Sequence, residues 1–353
     1  MESATLPARP ARRTRDAAAE LISRFGLIAI LLILPVAYGI QDLQTEGDLS
    51  RLATNIKDGI SNGAIWALIA VGYTLVYGII ELINFAHGDL FMIGSFVSFS
   101  LMGTLGLTVG TGGLGLAFGL LLILVLAMLA CATLNAMIER VAYRPLRGAP
   151  RLAPLITAVG FSFILQNVGL LWLGGSHRGV PDLIESQERL FTVLGVPVSH
   201  GDVLAVAVTA PLVIVMVNFI NFSRIGRAMR ATAQDPEAAR LMGINVDTTI
   251  SFTFLLGGLM AGAAGLIYAL YQTDVWFFAG FTAGLIAFTA AVMGGIGNIK
   301  GAVLGGLIIG IIQQISDNRI GTEWTPAIVF AYLILILVFR PQGLLGEQTR
   351  EAG

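Results

Sequence analysis

An all-α polytopic membrane protein of about eight to ten transmembrane helices is the fold class this sequence predicts, and three observations predict it. Hydrophobic residues make up 56% of the 353 residues, charged residues only 12%, and the mean hydropathy is +0.81, whereas soluble domains carry about 25% charged residues. Apolar runs follow one another at 25–40, 60–80, 90–107, 114–137, 152–174, 203–220, 250–271, 281–296, 301–315 and 325–339, most of them near the roughly 20 residues that cross a bilayer as a helix. None of these runs contains a lysine or an arginine. The runs at 281–296 and 301–315 are short and glycine-rich, which suits half-length or re-entrant segments that line a cavity or are buried in protein.

The cations orient the bundle. With the N-terminus placed in the cytoplasm, 16 of the 21 lysines and arginines fall on cytoplasmic segments, and Arg51, Lys57, Arg178, Arg189 and Arg319 fall outside. The positive-inside rule then gives ten crossings with both termini cytoplasmic, and eight crossings plus a re-entrant pair keep the same parity. The chain divides into an Arg-rich cytoplasmic tail (1–24), a transmembrane domain (25–339) with a cytoplasmic loop at 223–249 and an extracytoplasmic loop at 175–202, and a cytoplasmic tail (340–353). The first run lacks a small-residue cleavage site of the A-x-A kind and reads as a retained anchor.

Ten spans divide into two sets of five, and an odd-numbered repeat reappears inverted, the plan by which many transporters surround a midplane site. A glycine-and-polar interruption falls in each half, NFAHGD at 84–89 and GGIGNIKG at 294–301. G-x-x-x-G recurs at Gly258/Gly262, Gly280/Gly284, Gly301/Gly305 and Gly306/Gly310, the spacing that lets two helix backbones approach closely.

Several function classes are excluded. A net charge of −1 with cations scattered over loops leaves no basic face for nucleic acid. The single cysteine, Cys131, sits in an apolar run and permits neither a disulfide nor a cysteine metal site within one chain. It reads as a buried, inert thiol. No G-x-x-x-x-G-K-[ST] is present, so the chain holds no P-loop for nucleotide phosphates. Three histidines, His87, His177 and His200, offer little for a metal site or a Ser-His relay, and no catalytic residue is assigned. Ionisable groups for proton or sodium coupling belong in mid-span. Here Glu81, His87 and Asp89 flank one short segment and every other acid is assigned to a loop or tail. The pathway is therefore powered from elsewhere.

The power source has a candidate docking point in a polar island, SRIGRAMRATAQDPEAARLMGINVD at 223–247. Asp235 caps a helix that opens on Pro236, and Gly243 closes it in the left-handed conformation, so 236–242 is punctuated at both ends. Two turns of helix are marginal in water and form against a partner or against their own protein. Ala238, Leu241 and Met242 share one face, and Glu237 and Arg240 pair on another. The alternative for this stretch is an ordinary inter-helix loop.

Five segments carry a resemblance. GYTLVYGIIELINFAHGDLFMIGSFVSF (72–99), ERVAYRPLRGAPRLAPLITAVGFSFILQN (139–167), GRAMRATAQDPEAARLMGINVD (226–247), FTAAVMGGIGNIKGAVLGGLIIGI (288–311) and FRPQGLLG (339–346) resemble, in order and spacing, the smaller permease subunit of branched-chain amino acid ABC importers. The resemblance covers nearly everything after about Asn55, and the tail up to Asp48 is longer than the family usually shows. It implies a bacterial or archaeal inner-membrane complex. Its parts are a second homologous permease, two cytoplasmic ATPases that bind the ATP, and an extracytoplasmic solute-binding protein, so that this chain carries no cofactor and contacts membrane lipid. It also implies that a loop of E-A-A-x(3)-G pattern is the coupling helix, matched by Glu237, Ala238, Ala239 and Gly243, with Asp235, Pro236, Arg240 and Leu241 completing the docking segment.

For the solute, an apolar pocket with a few polar groups or helix ends suits an aliphatic zwitterion. Asn84, His87 and Asp89, with Tyr73 and Tyr77 upstream, are the first candidates, and Gln166 and Asn167 the second. Their alternative roles are capping of a broken helix and interhelical hydrogen bonding. RLFTVLGVPVS at 189–199 predicts a hairpin turning at Gly195, suited to seating the binding protein. Import of urea or short amides by the same machinery, and an ATP-independent channel or secondary transporter, are the competing functions.

Overall fold

The computed structural model describes residues 11–45, 47–150, 152–193 and 195–346, with side chains from residue 28 onward. Each of the predicted apolar runs lies on a helix: α1 (Ala11–Thr45), α2 (Ser50–Ile80), α3 (Ala86–Thr104), α4 (Gly113–Ile138), α5 (Leu152–Leu173), α6 (His200–Phe222), α9 (Val246–Gln272), α10 (Ala279–Gly294), α11 (Ile299–Arg319) and α12 (Thr325–Phe339). Two short helices, α7 (Arg224–Gln234) and α8 (Pro236–Leu241), lie between α6 and α9. Among the described residues, seven helices are long and apolar enough to cross a membrane, and α10 and α12 are shorter. The glycine-rich run at 301–315 differs from expectation. It belongs to the 21-residue α11, long enough for a full crossing, and of the two only α10, at 16 residues, is shorter than a full crossing.

Helices α2 and α9 form the centre. α2 is buried almost without interruption from Ser61 to Val76, and α9 buries most positions from Thr253 to Tyr271. Around them pack α3, α10 and α11. The outer helices α1, α4, α5, α6 and α12 carry apolar side chains on their free faces, among them Phe118, Ile156, Val215 and Val338, as lipid-facing helices do. Burial of uniformly apolar helices offers little drive to associate in lipid, so close backbone approach replaces it. The predicted small-residue pairs meet that need. Gly306 and Gly310 of α11 lie against Ala67 and Gly63 of α2, Gly258 and Gly262 of α9 against α4, Gly301 and Gly305 of α11 against α10, and Gly280 and Gly284 of α10 against Gly88 of α3.

Several buried charges in the bundle are paired. Arg319 of α11 holds both carboxylate oxygens of Asp42 in α1 at 2.7 Å, with the ring of Tyr38 at 5.4 Å from the guanidinium. Lys57 and Ser61 of α2 both donate to Asp202 of α6, at 2.6 and 2.8 Å. Glu139, at the end of α4, is fully buried. These three acids correct the expectation that acids outside the 81–89 segment lie in loops or tails. Each stands at or near the end of an apolar run, where sequence cannot distinguish an exposed loop from a helix that continues into protein. Cys131 is buried as expected, its thiol 3.2 Å from the Leu90 carbonyl.

Two strand pairs lie at the end of the bundle opposite α7 and α8. β1 (Arg178–Gly179) pairs with β4 (Asp274–Val275), and β2 (Arg189–Val193) with β3 (Val196–Ser199), all antiparallel. The second pair is the predicted hairpin, with Gly195 at φ +84°. Ser199 caps α6 and Asp202 reciprocates, a full capping box. The loop assigned to 175–202 therefore ends at Ser199. Likewise Asn245 caps α9 by accepting from the Thr248 N–H, so the loop assigned to 223–249 ends there. At the N-terminus α1 begins at Ala11, so the helix extends back through the second half of the assigned tail. The remainder of that tail and residues 347–353 of the C-terminal tail lie outside the described residues.

Candidate functional site

Helix α2 stops at Ile80, just ahead of the NFAHGD segment at 84–89. Glu81 takes a left-handed backbone, φ 53°, and its N–H closes on the Tyr77 carbonyl, so the chain leaves the helix axis at 82–85 before α3 starts at Ala86. The α3 N-terminus is overlapped by the α10 N-terminus. A Cβ on Gly280 would stand 2.8 Å from the Cα of Asp89, and one on Gly284 3.1 Å from the Cα of Gly88. Neither helix has a side-chain N-cap. Two uncapped N-termini thus meet within the protein, and their leading N–H groups favour negative charge there.

The first group of sequence candidates gathers at this meeting point. His87 and Asp89 are buried. The His87 ring stands edge-on to Tyr73 at 4.7 Å, and Tyr73 meets Phe288 of α10 at 6.0 Å. Asp89 accepts a 2.5 Å hydrogen bond from Ser162 of α5, and Ser162 in turn accepts from Gln166 at 3.0 Å. The other Asp89 oxygen, Oδ1, is buried and unpartnered among the described residues. Beside this chain lies a cavity of about 180 Å³ bounded by Tyr73, Phe85, Ser162, Gln166, Gly284 and Phe288, among others. Its wall is apolar and aromatic with a hydroxyl and an amide on one side, a lining suited to a small amphipathic solute.

Three candidates have other surroundings. Tyr77 lines a narrower cleft with Tyr73, Ile83 and Ile296. Asn84 donates to Asn135 of α4 at 3.3 Å, and Asn135 donates to the Phe254 carbonyl of α9 at 2.6 Å, which ties the broken segment to two helices. Asn167 is exposed and bonds back to the Phe163 carbonyl of its own helix at 2.8 Å. It stands apart from the cavity because it lies 100° around α5 from Gln166. Ser162, which joins Asp89 to Gln166, is the participant that sequence reading missed. Its signal was available, a hydroxyl four residues before Gln166 on the same face of an apolar helix.

The polar island is built as its caps require. Asp235 accepts from the N–H groups of Glu237 and Ala238, both at 2.9 Å, Pro236 opens α8, and Gly243 takes φ +83°. The Gly243 and Ile244 N–H groups close on the Arg240 and Ala239 carbonyls, which sets Met242 as the cap and ends the helix at Leu241, one residue short of expectation. Ala239 faces inward. Leu241 and Met242 face outward, 89% and 82% exposed, beside an exposed Ala238. Glu237 and Arg240 form no ion pair among the described residues; both side chains project into open space at the same end of the bundle.

Residues 55–338 match the family model described as "Branched-chain amino acid transport system / permease component". The chain belongs to this family of permeases. It is 43% identical over 297 residues to the high-affinity branched-chain amino acid transport system permease protein LivH of Escherichia coli (strain K12), covering 83% of this chain and 95% of the relative. To BraD, the corresponding permease of Pseudomonas aeruginosa, it is 40% identical over 301 residues, covering 84% and 96%. The autoinducer 2 import system permease protein LsrC of Yersinia pestis is 26% identical over 293 residues, covering 79% and 75%. Among solved structures, PsaBC from Streptococcus pneumoniae in complex with Fab matches with a TM-score of 0.39 and 16% identity, over 86% of this chain and 95% of that one.

Both the cavity and α8 fall within the matched part of the permease, and α1 lies ahead of it. The N-terminal cap is one of the attachments that hold α8. Asp235→Ala removes the acceptor of two N–H groups and is expected to weaken local stability by about 1 kcal/mol, read as faster amide exchange at Glu237 and Ala238 with no change in global melting temperature.

Proposed function

We propose that this permease is the membrane-spanning subunit of a binding-protein-dependent ABC importer that carries branched-chain amino acids inward at the expense of ATP hydrolysed by separate subunits. The single observation that carries the coupling is α8. A two-turn helix, capped at both ends, presents Leu241 and Met242 to the outside, although the only apolar residue it buries in its own protein is Ala239. Such a helix is the kind that seats its face in a groove of another protein. The resemblance of Glu237, Ala238, Ala239 and Gly243 to the E-A-A-x(3)-G coupling helix of ABC importers supports an ATPase as that partner. The Arg-rich ends of the spans set α8 on the cytoplasmic side and the β2–β3 hairpin on the opposite side, where its exposed Leu190, Phe191 and Val193 form a seat for the binding protein.

The solute passes by way of the cavity flanked by Tyr73, Ser162, Gln166 and Phe288, between the meeting N-termini of α3 and α10. Their positive ends favour a carboxylate, and the aromatic wall favours an aliphatic side chain. A second homologous permease completes the membrane part of the importer.

Reconstitution tests the reading. In liposomes this permease alone is expected to give no gradient-driven uptake of leucine. With the second permease, both ATPases and the binding protein, uptake is expected to require ATP. Uptake without ATPases would refute the importer. Titrating the binding protein with leucine and with urea assigns the solute: binding of urea alone would replace amino acids by amides as cargo.

A further inference from the structure

The end of the bundle that bears α8 contains a charge cluster on the α4–α5 connection, none of whose charged residues lines the cavity. α4 does not end in a simple cap. Its last turn widens into a π-helical turn, Glu139–Tyr143, followed by a 3₁₀ turn at Arg144–Leu146. Such widened turns are frequent at functional sites. Here the turn lets the Glu139 carboxylate, fully buried, meet two groups from different elements. Arg147 pairs with Oε1 and the Ser251 hydroxyl of α9 donates to Oε2 at 2.5 Å. The second terminal nitrogen of Arg147 pairs with Asp247, in the first turn of α9, and Arg144 reaches the other oxygen of Asp247 at 3.3 Å. One guanidinium therefore bridges two carboxylates, one buried and one partly exposed.

The two ends of this clamp lead to two different places. Asp247 is four residues beyond Gly243, the residue that closes α8, and the Asn245 cap lies between them. At the other end the π-helical turn includes Tyr143, buried, whose ring packs on Phe254 at 5.1 Å and whose hydroxyl points to the Ile83 carbonyl at 3.4 Å. Ile83 belongs to the broken segment that leads into α3, His87 and Asp89. The ion pairs of Arg147 with Asp247 and Glu139, the π-helical turn from Glu139 to Tyr143 and the short chain from Gly243 to Asp247 together connect the base of α8 to the segment that leads to the cavity wall.

We propose that Arg147 is a positioning residue for transport: it locks the α4–α5 connection to the start of α9, so that movement of α8 is passed through the π-helical turn to the broken segment at 82–85. The inference rests on the reading that α8 meets the ATPase. Packed side chains and ion pairs carry coupling of this kind where they join elements that move as units. The planar fork of arginine is what the role demands. A lysine keeps the charge beside Glu139 but, as a point donor on a flexible stem, does not hold two carboxylates in a set geometry.

The test uses the full complex, reconstituted with the second permease, both ATPases and the binding protein, and reads solute moved per ATP hydrolysed. Arg147→Lys is expected to leave insertion, assembly and basal hydrolysis unchanged and to lower that ratio at least about fivefold, the lower range of coupling between linked sites. Asp247→Asn, at the exposed end of the clamp, is expected to lower it in the same direction without disturbing the buried carboxylate. Asp247→Glu retains the pair and is expected to keep most of the wild-type ratio. A role confined to folding would move melting temperature and leave the ratio unchanged. A wild-type ratio in both Arg147→Lys and Asp247→Asn overturns the clamp while docking through α8 stands. Leu241→Asp, run in parallel, reports on docking itself, and unchanged coupling there removes the docking reading and the clamp with it.

Discussion

Leu241→Asp is expected to abolish ATP-driven uptake while leaving the permease folded and inserted. The side chain is 89% exposed, so its replacement costs the permease almost nothing internally. Surface substitutions away from caps and buried groups stay within about 0.5 kcal/mol. In the proposed complex with the ATPase the same side chain would be an apolar anchor at the end of a helix. Truncating such an anchor costs about 2 kcal/mol or more, and a buried carboxylate without a partner adds desolvation to that loss. Affinity for the ATPase should therefore fall by about thirtyfold or more. Co-purification of the ATPases with the detergent-solubilised permease, against an unchanged thermal melt of the permease alone, checks both halves. Retained co-purification with full uptake would leave α8 without the role proposed for it.

Gly63→Ala is expected to have the largest effect on folding. Gly59 and Gly63 of α2 interlock with Gly306 and Gly310 of α11. A Cβ on Gly63 would stand 2.8 Å from the Cα of Leu307, and one on Gly306 2.6 Å from the Cα of Ala67. The atoms met are backbone, so no side chain can turn aside and the helices must separate. Overpacking of this kind costs up to about 3 kcal/mol or more, and here it also loosens the central helix to which α3, α9 and α10 attach. Gly160→Ala in α5 is the control of opposite sign. Nothing lies within 4 Å of the added Cβ, and replacing a mid-helix glycine by alanine adds about 0.5–1 kcal/mol of stability. Melting of the two purified variants against wild type decides between them. Equal melting would mean that the α2–α11 contact is looser than the packing indicates.

Local features were legible without the fold. The caps of α8 depend on Asp235, Pro236 and Gly243 and on their immediate neighbours, and the structure has them as the sequence predicts except for one residue at the end. The hairpin at 189–199 turns at Gly195 for the same reason. The break between α2 and α3 was visible as polar residues and glycine at 84–89 within an apolar stretch, although the non-helical residues lie at 81–85 and 86–89 belong to α3. Gln166 and Asn167 mark where such reading stops. They are adjacent, both amides, both in α5, and one lines the cavity while the other bonds back to its own helix. A nearly uniform apolar helix has no amphipathic signal to say which face meets protein and which meets lipid.

The acids show the same boundary more sharply. Asp42, Glu139 and Asp202 stand near the ends of apolar runs, where charge and hydropathy assign them to solvent. Each is buried against a cation from an element far away in sequence or across a turn: Arg319, Arg147 and Lys57. Membership of the membrane, the order of the apolar helices, the close-packing glycines and the capped α8 were determined by the sequence alone, because each depends on composition, on spacing along one helix or on a few neighbouring residues. The tertiary structure decided that the N-termini of α3 and α10 meet beside Asp89, that Ser162 joins Asp89 to Gln166, and that Arg147 bridges α4 and α9. Those contacts join residues as far apart as Asp89 and Gly280, 191 positions along the chain, and are set by which helix faces pack together. In a membrane, hydropathy does not choose among those faces.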